Sequence, residues 1–325
     1  MVISKKDIIF FNKKKIFIAG ASGFIGTNLV NKLKKFNCKI FYHYHTAKPP
    51  KKMKGVTFIK ADLTKQSNCK KVLKDIDIVF MCAANTSGAK IIQDKPLNHL
   101  TPNLIMNTLM LESAYINKIK KFIFISSNTV YPVTNFKVKE SDTNYEYFEK
   151  YFIVGWMKRF TEIMCEMYST KIKNKMVTIV IRPGNLYGPF DKFDWDKSKV
   201  IAALIRKFVE KHDPINVWGD GKDIKDFLYI DDFIDGLIKV TSRVNKFEVL
   251  NLASSKQITI RRIIEILKKI TNHNAKIEFD ITKPTMIPKR MISIKKAKDQ
   301  LAYKPIIDIE DGLTRTINWY KSNDN

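Results

Sequence analysis

Short apolar segments alternate with longer segments of helical periodicity through the first half of the chain. The apolar segments predict strands near residues 15–19, 39–44, 56–60, 77–83, 121–127 and 176–182. Helices are expected between most of them, because strands that alternate with helical patterns are typical of βαβ units. The pattern therefore predicts an α/β fold with a doubly wound parallel sheet.

A glycine turn follows the first predicted strand. Gly20, Gly23 and Gly26 are spaced three residues apart between an apolar strand and an apolar helical face. The first glycine permits the tight turn, the second lets backbone amides approach a pyrophosphate, and the third packs the helix against the strand. Amides at a helix start attract phosphate. The segment predicts a dinucleotide site in a Rossmann-type domain.

The organisation changes in the second half of the chain. Apolar residues recur at three- and four-residue steps near 147–170, which predicts a long helix, and a final helix is expected near 308–321. After 182–189 the rhythm loosens into loops and shorter elements, which favours a smaller lobe over the carboxyl edge of the sheet. We expect a dinucleotide-binding domain over 1–184 plus about 226–252, and a substrate lobe over about 185–225 and 253–325.

Composition narrows the class of protein. The 325 residues are 45% hydrophobic and carry a formal charge of +26, from 58 Lys and Arg against 32 Asp and Glu. The length suits one large α/β unit or about two domains. Because the basic residues form short scattered groups without an aromatic-interleaved face, no nucleic-acid partner is expected. A generally lysine-rich surface explains this charge, and an anionic nucleotide substrate would add a modest functional reason for it.

Cysteines and apolar runs indicate the compartment. The four cysteines lie far apart with no Cys-x-x-Cys pair, which is typical of a reducing cytoplasm. The longest early apolar run, Ile8–Phe11, is too short for a membrane span or for the core of a secretion signal. We expect a cytoplasmic protein with no membrane partner and no metal site.

Several short motifs occur in a fixed order along the chain. They are the glycine turn, Ala61-Asp62-Leu63, Cys82-Ala83-Ala84, Ser126 to Pro132, Lys158 with Glu162, Asn185 to Pro189, Ser198 to Phe208, Trp218 to Gly221 and Asp226 to Asp232. In this order the chain resembles extended short-chain dehydrogenases/reductases of the NAD-dependent epimerase/dehydratase family that act on nucleotide sugars. The resemblance covers nearly the whole chain and is strongest to the GDP-L-fucose synthase-like branch.

This resemblance implies roles for individual residues. It assigns the cofactor pyrophosphate to Gly20, Ser22, Gly23, Phe24, Ile25 and Gly26, the adenine to Asp62 and Leu63, and the channel towards the nicotinamide to Ala83 and Ala84. It assigns the nucleotide sugar to Asn128, Asn185, Val200, Lys207, Trp218 and Lys225. The two lysines stand where the family commonly has arginine on the diphosphate, and lysine loses the bidentate fork. Asp62 could equally cap a turn, the alanines could serve packing, and the lysines could be surface residues.

The end of the second strand bears on the choice between NAD and NADP. A carboxylate there would accept hydrogen bonds from the adenosine ribose, but residues 8–61 contain no Asp or Glu. His43, His45 and Lys48 occupy the region instead. Since cations favour a ribose 2′-phosphate, the sequence favours NADP slightly over NAD, with His45 as the candidate contact.

The catalytic positions depart from the family pattern. The resemblance places a proton-transferring tyrosine four residues before the lysine that holds the nicotinamide ribose. Lys158 matches that lysine, but the position four before it is Val154, which has no proton to give. Tyr151 lies two turns before Lys158 and is the candidate substitute proton donor, with Ser127 or a water held by Lys158 as the alternatives. Ser127 matches the hydroxyl that hydrogen-bonds the reacting carbonyl or alcohol.

Two neighbouring reactions are not expected. In the fucose synthase branch a cysteine and a histidine epimerise carbons 3 and 5, and Thr129 and Lys199 stand at those positions. The 4,6-dehydratase branch has an Asp-Glu pair where this chain has Asn128 and Thr129. These residues do not supply the acid and base that either reaction needs.

Hydride transfer remains the favoured interpretation, as a 4-keto reductase, dehydrogenase or 4-epimerase acting on a GDP-sugar. Val154 supports a second hypothesis, a binding or regulatory protein that keeps both pockets without turnover. A different small-molecule reductase or a nucleic-acid binder is the third. By resemblance a homodimer is expected through helices near 100–117 and 147–170, although their apolar faces would equally serve an internal core.

Overall fold

The computed structural model describes residues 3–47, 49, 53–85, 96–195, 198–283 and 285–323. The strands are β1 Lys15–Ala19, β2 Lys39–Tyr44, β3 Val56–Lys60, β4 Ile78–Met81, β5 Lys121–Ile125, β6 Val177–Pro183, β7 Asn185–Tyr187, β8 Ile215–Trp218, β9 Ile224–Lys225, β10 Phe227–Tyr229, β11 Glu248–Leu252, β12 Ile258–Thr259 and β13 Ile277–Asp280. The α-helices are α1 Lys5–Phe10, α2 Phe24–Leu33, α3 Gln66–Val72, α4 Leu97–Ile116, α5 Phe152–Thr170, α6 Val200–Val209, α7 Ile230–Arg243, α8 Ile260–Thr271, α9 Lys295–Leu301 and α10 Ile309–Asn323.

A seven-stranded parallel sheet forms the centre of the molecule. Its strand order is β3-β2-β1-β4-β5-β6-β11. The direction of the order reverses between β1 and β4, and open α/β sheets bind ligands at the carboxyl ends of strands beside such a reversal. The prediction of a doubly wound α/β fold is confirmed. The periodicity did not indicate β11, a short strand that includes polar residues.

Helices cover both faces of the sheet. Ile16 and Ile18 of β1 enter one core together with Leu29 of α2. Phe17 and Ala19 enter a second core that includes Met110 and Leu111 of α4. Residues 16–19 of β1 are thus buried on one face or the other, which explains why they form a continuous apolar run and not an alternating one.

Smaller sheets follow β6. Strand β7 pairs in parallel with β10, β8 pairs in parallel with β13, and β9 pairs antiparallel with β12. These pairs lie beyond the end of β6 in the chain, where the sequence pattern loosens. The division of the chain into two domains at the predicted boundaries stays a prediction.

Helix boundaries differ slightly from the periodic pattern. Helix α5 begins at Phe152 and not near residue 147, and a 3-10 turn over Glu149–Tyr151 precedes it. The predicted final helix corresponds to α10. Among the residues that the structure describes, no helix combines the length and hydropathy needed to cross a membrane.

Helix α1 packs at the amino edge of the sheet, where the amino ends of the parallel strands lie. Asp7 is fully buried and accepts hydrogen bonds from Arg243 Nε at 2.8 Å, Arg243 Nη2 at 2.7 Å and Ser242 Oγ at 2.7 Å. Ser4 and Asp7 form a capping box at the start of α1. These contacts fasten the first helix to the end of α7.

A buried lysine lies at the same edge. Lys121 opens β5 with 6% of its surface exposed, and its Nζ donates to the carbonyls of Thr241 and Val244, both at 2.7 Å. Its ammonium also lies 4.7 Å from the ring centroid of Phe10. Two carbonyls at the end of α7 thereby receive a charged donor.

Candidate active site

The glycine turn joins β1 to α2 at the reversal of strand order. Gly20 has φ +70°, and a Cβ on it would lie 2.6 Å from the Cα of Ala83. A Cβ on Gly26 would lie 2.3 Å from the carbonyl oxygen of Gly20. Both positions therefore require glycine, the first for conformation and close approach to the loop after β4, the second for the packing of α2.

The start of α2 offers unused donors. The backbone N–H groups of Ser22, Phe24 and Ile25 make no hydrogen bond to the described residues. Gly23 is exposed, and a Cβ there would meet only the Gly20 carbonyl, at 3.3 Å. Free amides at a helix N-terminus suit a phosphate. The residues present thus fit a dinucleotide pyrophosphate.

His43 supports this turn from β2. Its Nδ1 accepts the Gly20 N–H at 3.0 Å, and its Nε2 lies 3.0 Å from the carbonyl of Ala61. The bond to an N–H requires an unprotonated Nδ1, so the neutral ring donates from Nε2. Burial lowers the pKa of His43. This histidine is a buried support of the turn, which corrects its inclusion among the cations around a ribose phosphate.

Other residues assigned to the cofactor lie at the same edge. His45 follows β2 and is exposed, whereas Lys48 lies outside the described residues. Asp62 follows β3, and its Oδ1 accepts the Thr64 N–H at 2.9 Å and the Thr64 hydroxyl at 2.6 Å. Leu63 is buried. Ala83 and Ala84 follow β4, and Ala83 faces Gly20.

Lys158 lies beneath the end of β5. Its Nζ donates to the carbonyl of Ile125 at 2.9 Å and lies 4.8 Å from the ring centroid of Phe124. The residue is 9% exposed, and burial lowers the pKa of its ammonium to about 8. Ser127 follows two residues after Ile125, and its Oγ accepts the Thr129 N–H at 3.2 Å. The chain thus brings a buried cation and a hydroxyl to one strand end.

The side chain one turn before Lys158 is aliphatic. Val154 is half-buried in the first turn of α5. Tyr151 lies before the helix, and its hydroxyl makes no hydrogen bond to the described residues. Burial alone raises the pKa of Tyr151 to about 12.

A buried ionic network lies behind these residues. Glu162 accepts from Ser126 Oγ at 2.5 Å, from Arg182 Nε at 2.9 Å and Nη2 at 2.6 Å, and from Arg159 Nη1 at 3.1 Å. Arg182 also donates to the Tyr131 hydroxyl at 3.0 Å. The network ties α5 to β6 and to the residue before Ser127. The motif contained Glu162, but no spacing indicated its pairing with Arg182.

The residues assigned to the sugar nucleotide make varied contacts. The amides of Asn128 and Asn185 donate to the carbonyls of Pro183 and Asp226, at 3.0 Å and 3.2 Å. Val200 opens α6, and Trp218 closes β8 with 48% of its surface exposed.

The two lysines of this group are held by backbone carbonyls. Lys207 Nζ donates to the carbonyl of Asn216 at 2.6 Å. Lys225 Nζ donates to the carbonyl of Ile287 and to Asp223 Oδ2, the latter at 2.9 Å. Burial lowers the pKa of both lysines. Their role on a diphosphate stays a prediction.

Two further residues stand at positions of interest for epimerisation. The Thr129 hydroxyl oxygen is buried without a hydrogen-bond partner among the described residues. Lys199 is exposed, and its Nζ lies 5.7 Å from the ring centroid of Phe24, in the first turn of α2. The described residues contain no group of three side chains suited to a metal ion.

The structure adds residues that sequence reasoning missed. Arg290 is buried and donates from Nη1 to the Pro132 carbonyl at 2.8 Å and from Nη2 to the Tyr131 carbonyl at 3.0 Å. Lys150 donates to the Thr285 carbonyl at 3.0 Å. The segment 285–290 is thus joined to the start of α5 and to the loop after β5. No sequence signal indicates contacts between residues so far apart.

The chain is similar in sequence to known proteins along nearly its whole length. The family described as "NAD dependent epimerase/dehydratase family" matches residues 16–253. GDP-mannose 3,5-epimerase 1 of Oryza sativa subsp. indica is 31% identical over 324 residues, which cover 95% of this chain and 82% of that protein. GDP-L-fucose synthase 1 of Arabidopsis thaliana is 28% identical over 321 residues, with 95% and 94% covered.

Solved structures share the architecture. A UDP-glucose 4-epimerase of Thermotoga maritima superposes with a TM-score of 0.87 at 22% identity, covering 96% of this chain and all of that one. A UDP-glucuronic acid 4-epimerase of Bacillus cereus, solved with UDP-glucuronic acid and NAD, has a TM-score of 0.84 at 27% identity, with 95% and 99% covered. The arrangement of sheet and helices is therefore shared along nearly the full length.

Proposed function

Because the chain belongs to the NAD dependent epimerase/dehydratase family, we propose that it is an NAD(P)-dependent nucleotide-sugar oxidoreductase that transfers hydride at a sugar carbon. The observation that carries the proposal is the pair of features at one sheet edge. Free amides open α2 beside the reversal of strand order, and Lys158 and Ser127 lie at the carboxyl end of β5, on the other side of β4. A cofactor whose pyrophosphate lies at the start of α2 would direct its nicotinamide towards the end of β5.

The chain's own residues have separate tasks in this proposal. Ser22, Phe24 and Ile25 hold the pyrophosphate through their amides, and Lys158 holds the nicotinamide ribose. When bound, the nicotinamide supplies or accepts the hydride. Ser127 orients the sugar oxygen at the reacting carbon through a hydrogen bond.

The substrate proposed is a nucleotide sugar, and a GDP-sugar in particular. The GDP-L-fucose synthase and GDP-mannose epimerase relatives support that nucleotide. The reaction is reduction of a 4-keto sugar, oxidation of a sugar alcohol or epimerisation at carbon 4. Asn128, Asn185, Val200 and Trp218 are the proposed contacts, together with Lys207 and Lys225, which would have to exchange their carbonyl partners for phosphate.

NADP is the slightly favoured cofactor. His45 is exposed at the end of β2, and residues 8–61 contain no carboxylate to accept the adenosine ribose hydroxyls. Asp62 is engaged with Thr64. NAD remains the alternative, as in the Bacillus cereus structure.

We also propose a cytoplasmic homodimer through α4 and α5. These helices pack against each other, with Asn107 Nδ2 donating to Thr161 Oγ1 at 3.2 Å. Their outer faces expose large apolar residues, namely Ile105, Ile116, Phe152, Trp156, Phe160 and Met167. Such a stripe on two adjacent helices suits a self-complementary contact. Sedimentation should give a dimer in the wild type and a monomer in Trp156→Glu.

The function is tested with deuterium-labelled reduced cofactor and a panel of 4-keto nucleotide sugars. Transfer of the label to a sugar carbon is the expected result. Cofactor binding by calorimetry without transfer to or from any member of the panel would support a binding or regulatory protein instead, the hypothesis that Val154 motivates. Failure to bind either nicotinamide dinucleotide would contradict both hypotheses.

A further inference from the structure

The tyrosines, the threonine and the cysteine described around the end of β5 are poor proton donors. The Tyr147 ring packs against Gly155, its hydroxyl is buried without a hydrogen-bond partner among the described residues, and burial raises the pKa of Tyr147. Burial also raises the pKa of Tyr151, to about 12. The Thr129 hydroxyl oxygen is buried. The Cys82 thiol follows β4 close to Lys158, but burial raises the pKa of Cys82 to about 12. None of these groups exchanges a proton readily near neutral pH.

We propose that the Lys158 ammonium is itself the proton source when this chain reduces a sugar carbonyl. The inference rests on the proposed function and specifies its direction and its acid. Lys158 Nζ has a single hydrogen bond, to the carbonyl of Ile125, so two of its three donors are free among the described residues. Val154, on the same face one turn earlier, presents no phenol between that ammonium and a substrate.

The surroundings of Lys158 suit a proton donor. Two titratable groups of the described residues face it: Glu162 on its own helix and Cys82 at the end of β4. Strand β5 contributes the Phe124 ring and the Ile125 carbonyl. Glu162 is occupied by Ser126, Arg182 and Arg159, so it does not form an ion pair with Lys158. The ammonium is therefore poorly solvated and charged at neutral pH, and it releases a proton more readily than an exposed lysine.

The proposed reduction moves one hydride to the carbonyl carbon and one proton to the carbonyl oxygen. The carbonyl carbon gains a hydride from reduced nicotinamide dinucleotide, and the carbon–oxygen double bond becomes a single bond. The oxygen, hydrogen-bonded to the Ser127 hydroxyl, gains the proton that leaves Lys158 Nζ. Lys158 is left neutral and takes a proton from solvent before the next turnover. The reverse oxidation would need the neutral amine, so acid and neutral conditions favour reduction.

The first test measures hydride transfer in a single turnover from about pH 6 to about pH 10. The rate should be constant below about pH 8 and fall tenfold per pH unit above it, as the ammonium is lost. Lys158→Arg keeps the positive charge, but a guanidinium does not release its proton in this pH range. The rate of hydride transfer should therefore fall about 10²- to 10⁴-fold, and the break near pH 8 should disappear. Lys121→Arg is the matched control, since it changes a buried lysine at the opposite edge, and it should keep the break.

A second readout does not depend on turnover. Acetic anhydride modifies neutral amines, so mass spectrometry of briefly labelled protein gives the fraction of neutral Lys158 at each pH. That titration should coincide with the kinetic break. If Lys158→Arg does not fold, Val154→Tyr carries the test, because a phenol beside the lysine should replace the ammonium as acid and remove the break near pH 8.

Three results would overturn the inference. A reduction rate independent of pH, or one retained in Lys158→Arg, would assign the proton elsewhere. Loss of reduction in Tyr151→Phe with a normal rate in Lys158→Arg would assign it to Tyr151. Absence of hydride transfer by wild-type protein that binds cofactor would contradict this inference and the proposed function together, whereas the first two results leave the proposed function standing.

Discussion

Two buried lysines lie at opposite ends of β5, and they differ in the number of carbonyl oxygens that accept from them. Lys121 at the amino end has two carbonyl acceptors, and Lys158 at the carboxyl end has one. Each lies over an aromatic ring, and burial lowers the pKa of each to about 8. Both ammonium groups are desolvated, but only Lys121 has a second donor satisfied by the protein.

The protein pairs its buried charges at the amino edge of the sheet, and it leaves some donors without protein partners at the carboxyl edge. At the amino edge, Lys121 and Asp7 are paired with α7, and these contacts fix where helices end. At the carboxyl edge, donors are left without protein partners: the amides that open α2 and the ammonium of Lys158. Donors left unsatisfied at the carboxyl ends of these strands suit a bound ligand.

The largest expected effect comes from Lys158→Met. The hydride-transfer rate should fall about 10²- to 10⁴-fold, because both the ribose contact and the proton source are removed. Single-turnover kinetics measures this. Urea unfolding should change less than in Lys121→Met, and a large loss of stability with normal kinetics would abolish the distinction between the two lysines.

Glu162→Gln removes the carboxylate that pairs with the buried Arg182 guanidinium at the carboxyl edge of the sheet. Arg182 would keep its buried guanidinium without a carboxylate, so the free energy of unfolding should fall by about 3–5 kcal/mol. Urea denaturation followed by circular dichroism measures the change. Arg159→Met is the control, since this partly exposed partner of Glu162 should have a smaller effect. Equal losses for the two variants would contradict the network as described.

Lys121→Met should affect stability without affecting chemistry. Two carbonyls at the end of α7 would lose their donor, which costs about 1–3 kcal/mol. The pH profile and rate of hydride transfer should stay those of the wild type. A changed profile would mean that the two edges are coupled.

The difference in unfolding free energy between wild type and Lys121→Met should depend on pH. The pKa of Lys121 in the folded protein is about 8, below the ordinary value of 10.5. Between these values the unfolded chain binds more protons, so the contribution of Lys121 to stability increases as the pH rises. The difference in unfolding free energy between wild type and Lys121→Met should therefore grow from pH about 8 to about 10.5, and a decrease would contradict the burial of this ammonium.

The smallest effect is expected for Ser4→Ala. Ser4 accepts the Asp7 N–H at 3.2 Å in the capping box of α1. Its loss should lower the free energy of unfolding by about 1 kcal/mol without a change in kinetics. Lys5→Ala, which leaves the cap intact, is the matched control for the thermal melts.

The fold was predictable because its signals are local. The strand over Lys15–Ala19 and the glycines at 20 and 26 specify a βα turn through short-range sterics, and the structure confirms the predicted fold. The boundaries of α5 were less well predicted. The apolar period continues across Tyr147, but the chain enters the helix only after a 3-10 turn.

The candidate site was predictable only as a set of positions. That Ser127 and Lys158 lie at one strand end follows from topology. The partners that decide their chemistry are distant in sequence: Glu162 with Arg182, and Arg290 with the loop after β5. Such contacts depend on how elements pack, which no motif spacing encodes. The roles assigned to individual site residues stay predictions.

His43 lies beneath the glycine turn as a neutral imidazole. Its Nδ1 lone pair is the acceptor for the Gly20 N–H, so in acid a proton and the backbone compete for the same electron pair. Protonation of His43 would place its Nδ1–H against the Gly20 N–H below the start of α2. Acidification should therefore loosen the turn and weaken dinucleotide affinity while the sheet itself remains folded.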